Sequence, residues 1–387
     1  GRSARIPPGA WRCGRGAPLW DIGRDSGGGY ARGQDDGAAA MTRRVVTWIA
    51  GLLMVAGLAH GAAWWLIGGM MVRGIEAGGP AGETLHHAGL ARGGWPMRVA
   101  VTIERPVLSR PAVGFAPATT IEAVRAVAGA PLVSPRDVTV QLSCPCEVSF
   151  PEGSGLAPVK IEAAALVLTF RIEDDAPPGE WQLAGEEMAI GQGADLVRFR
   201  GARMTGQRGD AAGPRQVVDV ALEGVQLGAG AGVPFGREIR SASGELAVFG
   251  EMPPGPDPET SLRAWRDNRG QLQLRRLALA WGPLALSAGL TLALDRDLQP
   301  VGAGTIRVAN WGPALDAAAS AGLIDARAMA LVRLALTAVS RPAPGGGPPV
   351  VEVPVTLEDR TLSAARFPIW RLPEIRWPRG TYSLGRR

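Results

Sequence analysis

Residues 281–295 read WGPLALSAGLTLALD, and within them Leu284, Leu286, Leu290, Leu292 and Leu294 fall on every second position, with Ala288 filling the gap. Ala285, Ser287, Gly289, Thr291 and Ala293 occupy the alternate positions. Successive side chains of a strand point to opposite faces, so this spacing makes one leucine face and one small, mildly polar face. At about 3.3 Å per residue the strand runs roughly 35 Å, far longer than the usual five or six residues. Two readings of the leucine face stand. It is core, covered by the two helices expected at PALDAAASAGLI and DARAMALVRLALTAVS, or it lines a groove for an apolar ligand. Those helices span about 18 and 24 Å at 1.5 Å per residue, less than the strand. Leu290, Leu292 and Leu294 are therefore the candidate groove residues.

The same period of two recurs through the chain. Val99, Val101 and Ile103 alternate after Pro96, and Val138, Val140 and Leu142 alternate in RDVTVQLS. VKIEAAALVLTFRIE reads as one long strand, with Val159, Ile161, Ala163, Ala165, Val167, Thr169 and Arg171 on one face and Leu166, Leu168, Phe170 and Ile172 on the other. EWQLAGEEMAI, DLVRFRGARM, RQVVDVALEGVQL, EIRSASGELAVFG, QLQLRRLALAW, GAGTIRVAN, VVEVPVTLED and RTLSAARFPIW follow the same rule. TTIEAVRAVAG fits a helix, because Thr119 and Glu122 have capping-box spacing, or a strand; a strand is expected. A helix is expected at ETSLRAWRDNRG, and Asp325 is a suitable N-cap for the last helix. Regularly spaced strands with few helices between them imply antiparallel meandering. The expected fold is α+β, mainly β: an N-terminal transmembrane helix, then a large, curved, mostly antiparallel sheet with a few helices, two of them near the C-terminus.

Residues 45–72 carry no formal charge. About 20 apolar residues span a bilayer, so this run suffices, and it far exceeds the core of a cleaved signal peptide. Trp48 lies near one end and Trp64 and Trp65 toward the other, where indole rings favour the interface. Arg43 and Arg44 precede the run and place that end in the cytoplasm. The expected localisation is the inner membrane, single-pass, with a periplasmic body. Upstream, residues 1–40 are rich in Gly, Arg, Ala and Asp and lack an apolar period. They read as a spurious leader before a start at Met41, or as a disordered cytoplasmic tail. The expected organisation is a leader (1–40), an anchor (41–73), a β-rich part (74–250), a Pro-rich linker EMPPGPDP (251–258) and a second β-rich part with helices (259–387).

The net charge of +5 invites a nucleic-acid reading. After residue 73, however, 32 basic residues face 32 acidic ones, and a neutral body without a basic run is a poor phosphate binder. Lys160 is the lone lysine, a mark of coding bias rather than recognition.

Enzymatic chemistry finds little to use. The three histidines are His60 in the anchor and the adjacent His86 and His87. Around Ser287, ALSAG lacks the leading glycine and following histidine of a nucleophile elbow. Asp174 with Asp175, and Glu186 with Glu187, are neighbours that point apart on a strand, poor partners for acid–base work. GAGAG (228–232) and PGGGPP lack the context of a phosphate loop. Cys144 and Cys146 form a local disulfide, remain free thiols, or offer two thiolates to a soft metal, for which no further ligand lies nearby. No catalytic residue, cofactor or metal is expected, and a carboxylate-dependent hydrolase is the residual enzymatic alternative.

The anchor, GWPMRV, and GGPPVVEVPVTLEDRTLS near the end resemble a bacterial envelope family catalogued as domain of unknown function 2125. The likeness is closest in LRAWRDNRGQLQLRRLALAWGPLALSAGLTLALDRDLQPVGAGTIRV and covers most of residues 41–375. VPVTLEDRTLS is also similar to the closing strands of AsmA-like envelope proteins. The resemblance implies an uncleaved anchor and a non-cytoplasmic β-rich body, and supplies no catalytic residues. The expected function is therefore non-enzymatic: a membrane-anchored protein that binds lipid or another apolar ligand in a β-groove, or a structural module that binds an envelope protein.

Overall fold

The computed structural model describes residues 35–78, 82–112, 117–151, 156–173, 178–209, 213–229, 233–253, 258–342, 347–375 and 377. Most of the leader, residues 254–257 of the linker, Asp174 and Asp175, residues 230–232 of GAGAG and residues 343–346 lie outside the described residues. Two units divide at residue 59, residues 1–59 and residues 60–387. The described part of the first unit is helical and begins α1 (Asp35–Ala77). Its stretch Val46–Ala77 is long and apolar enough to cross a bilayer, compatible with a single-pass anchor. The helix begins before Met41 and continues past Arg73, because nothing in DDGAAA or GIEA breaks it. It stops at GGP: Gly78 sits at φ 79°, the left-handed C-terminal position that favours glycine, and a Cβ there would lie 2.9 Å from the Glu83 carbonyl oxygen.

In the second unit the strands are β1 (Thr84–His86), β2 (Gly89–Gly93), β3 (Arg98–Glu104), β4 (Val107–Arg110), β5 (Thr119–Glu122), β6 (Arg125–Pro131), β7 (Asp137–Ser143), β8 (Cys146–Ser149), β9 (Val159–Glu162), β10 (Ala165–Arg171), β11 (Glu180–Ile190), β12 (Val197–Arg208), β13 (Gln216–Gln226) and β14 (Glu238–Phe249). Helix α2 (Pro258–Asp267) precedes β15 (Gln271–Trp281), β16 (Leu284–Leu294) and β17 (Pro300–Ala309). Helices α3 (Trp311–Ser320) and α4 (Ala326–Val339) then precede β18 (Val350–Glu358), β19 (Thr361–Ala364) and β20 (Phe367–Arg371). All belong to one open antiparallel sheet. From β11 onward each strand pairs with the next. β14 pairs directly with β15, so the sheet passes the 251–258 segment without a gap.

Upstream, two rows of strands converge on β11. β2, β3, β6, β7 and β10 reach its first half, and β1, β4, β5, β8 and β9 reach its second. The two rows meet along a crease. The chain breaks pairing between residues 105 and 106, 123 and 124, 144 and 145, and 163 and 164. Hydrogen bonds stitch the breaks together: Arg105 N–H to Val124 O (3.0 Å), Ala123 N–H to Pro106 O (3.1 Å) and Ala164 N–H to Glu186 O (3.3 Å). The line continues through Glu187 (φ 46°) and Gly224 (φ 57°), and ends in a register shift between β14 and β15 at Ile239 and Ser241. Inserting one residue per strand bends each strand and re-aims its side chains.

This corrects the single strand expected over VKIEAAALVLTFRIE. The break at residues 163–164 changes parity, so Val159 and Ile161 share a face with Leu166 and Leu168. Met188 shows the linkage: it belongs to the alternation that includes Ile190, the partner of Ile161, yet it lies over Gly185, the partner of Leu166. TTIEAVRAVAG is likewise two strands, β5 and β6, split at the crease, and RTLSAARFPIW splits into β19 and β20.

The helices tie the ends. Leu262 and Trp265 of α2 are fully buried, and the Trp265 indole N–H donates to Phe249 O at 2.9 Å. Arg266 reaches the carbonyls of Asp295 and Arg296, in the turn that joins β16 to β17. Gln299 in that turn exchanges two 2.9 Å hydrogen bonds with Ile375. Asp325 caps α4 through Ala328 N–H at 2.7 Å, and Asp316 on α3 pairs with Arg333 on α4.

Candidate apolar binding face

Register places the apolar residues in continuous rows. One row runs Val138, Phe170, Trp181, Gly206, Val218, Leu246, Leu274, Leu290, Gly304, Val355 and Ala364, from β7 to β19 without a polar residue. A second runs Val248, Leu272, Leu292, Gly302, Leu357 and Leu362. With neighbouring strands about 4.8 Å apart, the first row is roughly 48 Å long. One step from the first row, on the side away from the second, Thr169, Gln182, Thr205, Asp219, Glu245 and Arg275 point to the other face. Glycines let large side chains lie across the rows. A Cβ on Gly206 would collide with the Trp181 ring, and Cβ atoms on Gly302 and Gly304 with β16 and with Leu292 and Leu290.

Cover is uneven along this face. Near one end Val99 and Val101 are fully buried, and Met71, Val72 and Ile75 of α1 pack against Val101, Ile103 and Ala126. Near the other, Val351 and Val355 are each 1% exposed and Leu357 is buried. Between them, Val218, Leu246, Leu272, Leu274, Leu290, Leu292 and Leu294 are only half-buried. The structure thus sets Leu290 against Leu274 and Gly304, Leu292 against Leu272 and Gly302, and Leu294 against Pro300. Helix α3 begins beside the opposite end of β16, where Asn310 donates to Pro283 O at 3.4 Å.

Cys144 and Cys146 are joined by a disulfide across Pro145, on the crease. His60 Nε2 lies 2.8 Å from Pro96 O. His86 is exposed, and His87 Nδ1, also at the crease, is buried without a hydrogen-bond partner. Glu186 and Glu187 are exposed beside the bulge. Among the described residues no cluster of three or more His, Cys, Asp or Glu is arranged to hold a metal.

The polar face holds a feature not read from the sequence. Glu245 is 8% exposed. It pairs with Arg275 at 3.4 Å and with Arg276, which also reaches Asp219 at 3.5 Å. Arg276 (φ 50°) forms a bulge against β16. The signal was present in QLQLRRLALAW: Leu272 and Leu274 fall on even positions, Leu277 and Leu279 on odd ones, so one residue must be extra. On the same side of the sheet a shallow depression of about 520 Å³ is lined by Ala278, Ala280, Ser287, Arg307 and Glu352, among others.

No curated protein matches the chain, and no solved structure does. The resemblance to AsmA-like proteins is not shown by these comparisons. The family model for an uncharacterized protein conserved in bacteria, DUF2125, matches residues 63–373, which take in the distal part of the apolar helix and the whole described sheet. The chain belongs to that family.

Proposed function

We propose that the chain is a single-span protein of the inner membrane, with its N-terminus cytoplasmic and its sheet periplasmic, and that the sheet binds lipid acyl chains along the open middle of its apolar face. The carrying observation is the row from Val138 to Ala364, apolar on every strand and only half-buried from Val218 to Leu290. A contiguous apolar row left only half-covered is the kind of surface that binding sites use. Arg43 and Arg44 before the span support the orientation, and the Cys144–Cys146 disulfide suits an oxidising compartment. The role is binding rather than catalysis.

The test places a photoreactive amino acid at Leu290, or at Thr291 on the opposite face, in the full chain in growing cells. Lipid adducts at Leu290 and not at Thr291 support the reading. Protein adducts alone at Leu290 would favour the other candidate, an envelope interaction module. Exposed side chains favour that second reading: Leu331 (70%) and Leu334 (69%) on α4, and Phe367, Ile369 and Trp370 on β20.

A further inference from the structure

We infer that the turns at residues 94–97 and 132–133 dip into the outer surface of the bilayer that holds α1, so that the sheet is seated on the lipid rather than suspended above it. This rests on the single-span reading above. The argument is one of length. Within the second unit, α1 meets the turn before β3 at the unit's first residue: the Trp95 ring packs edge-on to His60 (centroids 5.2 Å apart) and to Trp64 (5.8 Å). A Cβ on Gly61 would lie 3.8 Å from the same ring. The Trp64 indole N–H donates to Arg98 O at 3.0 Å.

Residues 45–59, the apolar segment before these contacts, give only about 22 Å of helix. The hydrocarbon core needs about 30 Å, and tilt raises the requirement. The span must therefore include His60 to about Trp64, the turns on which Trp95 already leans. The surface of those turns suits this depth: Trp95 is 55%, Met97 76% and Val133 93% exposed, and Leu132 N–H donates to Met97 O at 3.1 Å, holding the two turns together. Above them the chemistry changes. Arg92 stacks over the Trp65 ring at 6.0 Å, and its guanidinium and that of Arg73 both approach Gly69. Arg73 lies about 12 Å further along the helix than Trp65, the level of lipid phosphates. An apolar rim, an indole layer and a basic layer follow one another in the order of the membrane interface.

The full chain, with Cys13 replaced by Ser, is reconstituted into vesicles of phosphatidylethanolamine and phosphatidylglycerol. A nitroxide is attached to a single new cysteine at Val133, Met54 or Glu358. Depth is read from collision with oxygen against a water-soluble nickel chelate. The inference expects Met54 to read as hydrocarbon, Glu358 as water, and Val133 several-fold more oxygen-accessible, relative to nickel, than Glu358. Val133 matching Glu358 while Met54 reads as hydrocarbon overturns the seating and leaves the span intact. Met54 matching Glu358 overturns the span, and the seating with it.

Discussion

Leu292→Arg and Val355→Arg place the same charge on the same apolar face at two degrees of cover. Leu292 is half-buried between Leu272 and Gly302. Full burial of a leucine contributes about 1.5–3 kcal/mol, so a half-buried one contributes about 1 kcal/mol. An arginine there can lay its stem along the face and keep its head in water. The expected loss is about 1–2 kcal/mol, or about 4 °C in Tm at roughly 2–4 °C per kcal/mol. Val355 is 1% exposed, opposite Gly304 and Ala364. A charge there has neither water nor partner and costs about 3–5 kcal/mol, enough to lower Tm by roughly 12 °C or to prevent folding. Thermal unfolding of the purified full chain, followed by circular dichroism, measures both, and lipid photoadducts at Leu290 should disappear in the Leu292→Arg protein. If Leu292→Arg destabilises as much as Val355→Arg, the middle of the face is closed core and the reasoning fails.

Trp265→Ala removes a fully buried ring and its hydrogen bond to Phe249; a loss of about 3–5 kcal/mol should appear as a Tm lowered by about 10 °C. Gly224→Ala puts a Cβ at φ 57°, 3.0 Å from Arg200 Cβ, and should cost about 1–2 kcal/mol in denaturant melts. Gly201→Ala, with nothing within 4 Å of the added Cβ, should be neutral or stabilise by up to about 1 kcal/mol. Thiol alkylation of the full chain should add one label before reduction and three after it, as expected of three cysteines with two in a disulfide; three labels without reduction would mean an open pair.

The long strands were legible because one face is apolar and the other is not. The leucine alternation marks β16 to its ends, Leu284–Leu294, and the N-cap aspartate of α4 is where its sequence puts it. The crease was harder to see, because alternation was read as if each strand were straight. Each bulge leaves a mark, a switch of parity. Trp181 and Leu183 give way to Met188 and Ile190, and Val218, Val220 and Leu222 to Val225 and Leu227. One such switch looks like noise. The same switch on successive strands is a bend, but seeing that requires the register, which sequence spacing alone does not fix. The cover of the leucine face was left open for a related reason. Helix lengths can be read from sequence, whereas the end of β16 beside which α3 begins depends on how the chain turns at Asn310 (φ 55°).

Leaving the middle of the face open has an energetic consequence. Each half-buried leucine or valine forgoes about 1 kcal/mol relative to full burial, and the seven from Val218 to Leu294 forgo about 7 kcal/mol, within the range of a whole domain's net stability. Two devices close the face at its ends: the last turns of α1 over β3 and β6, and the tightly packed valines of β18. Leu331 and Leu334 of α4 are not used in this way, since they face solvent. On the proposed reading, an apolar occupant recovers the stability withheld over so long a row. Met71, Val72 and Ile75, which pack near the start of the row, belong to a helix apolar enough to cross a bilayer, so on the proposed reading acyl chains are the apolar material closest to hand.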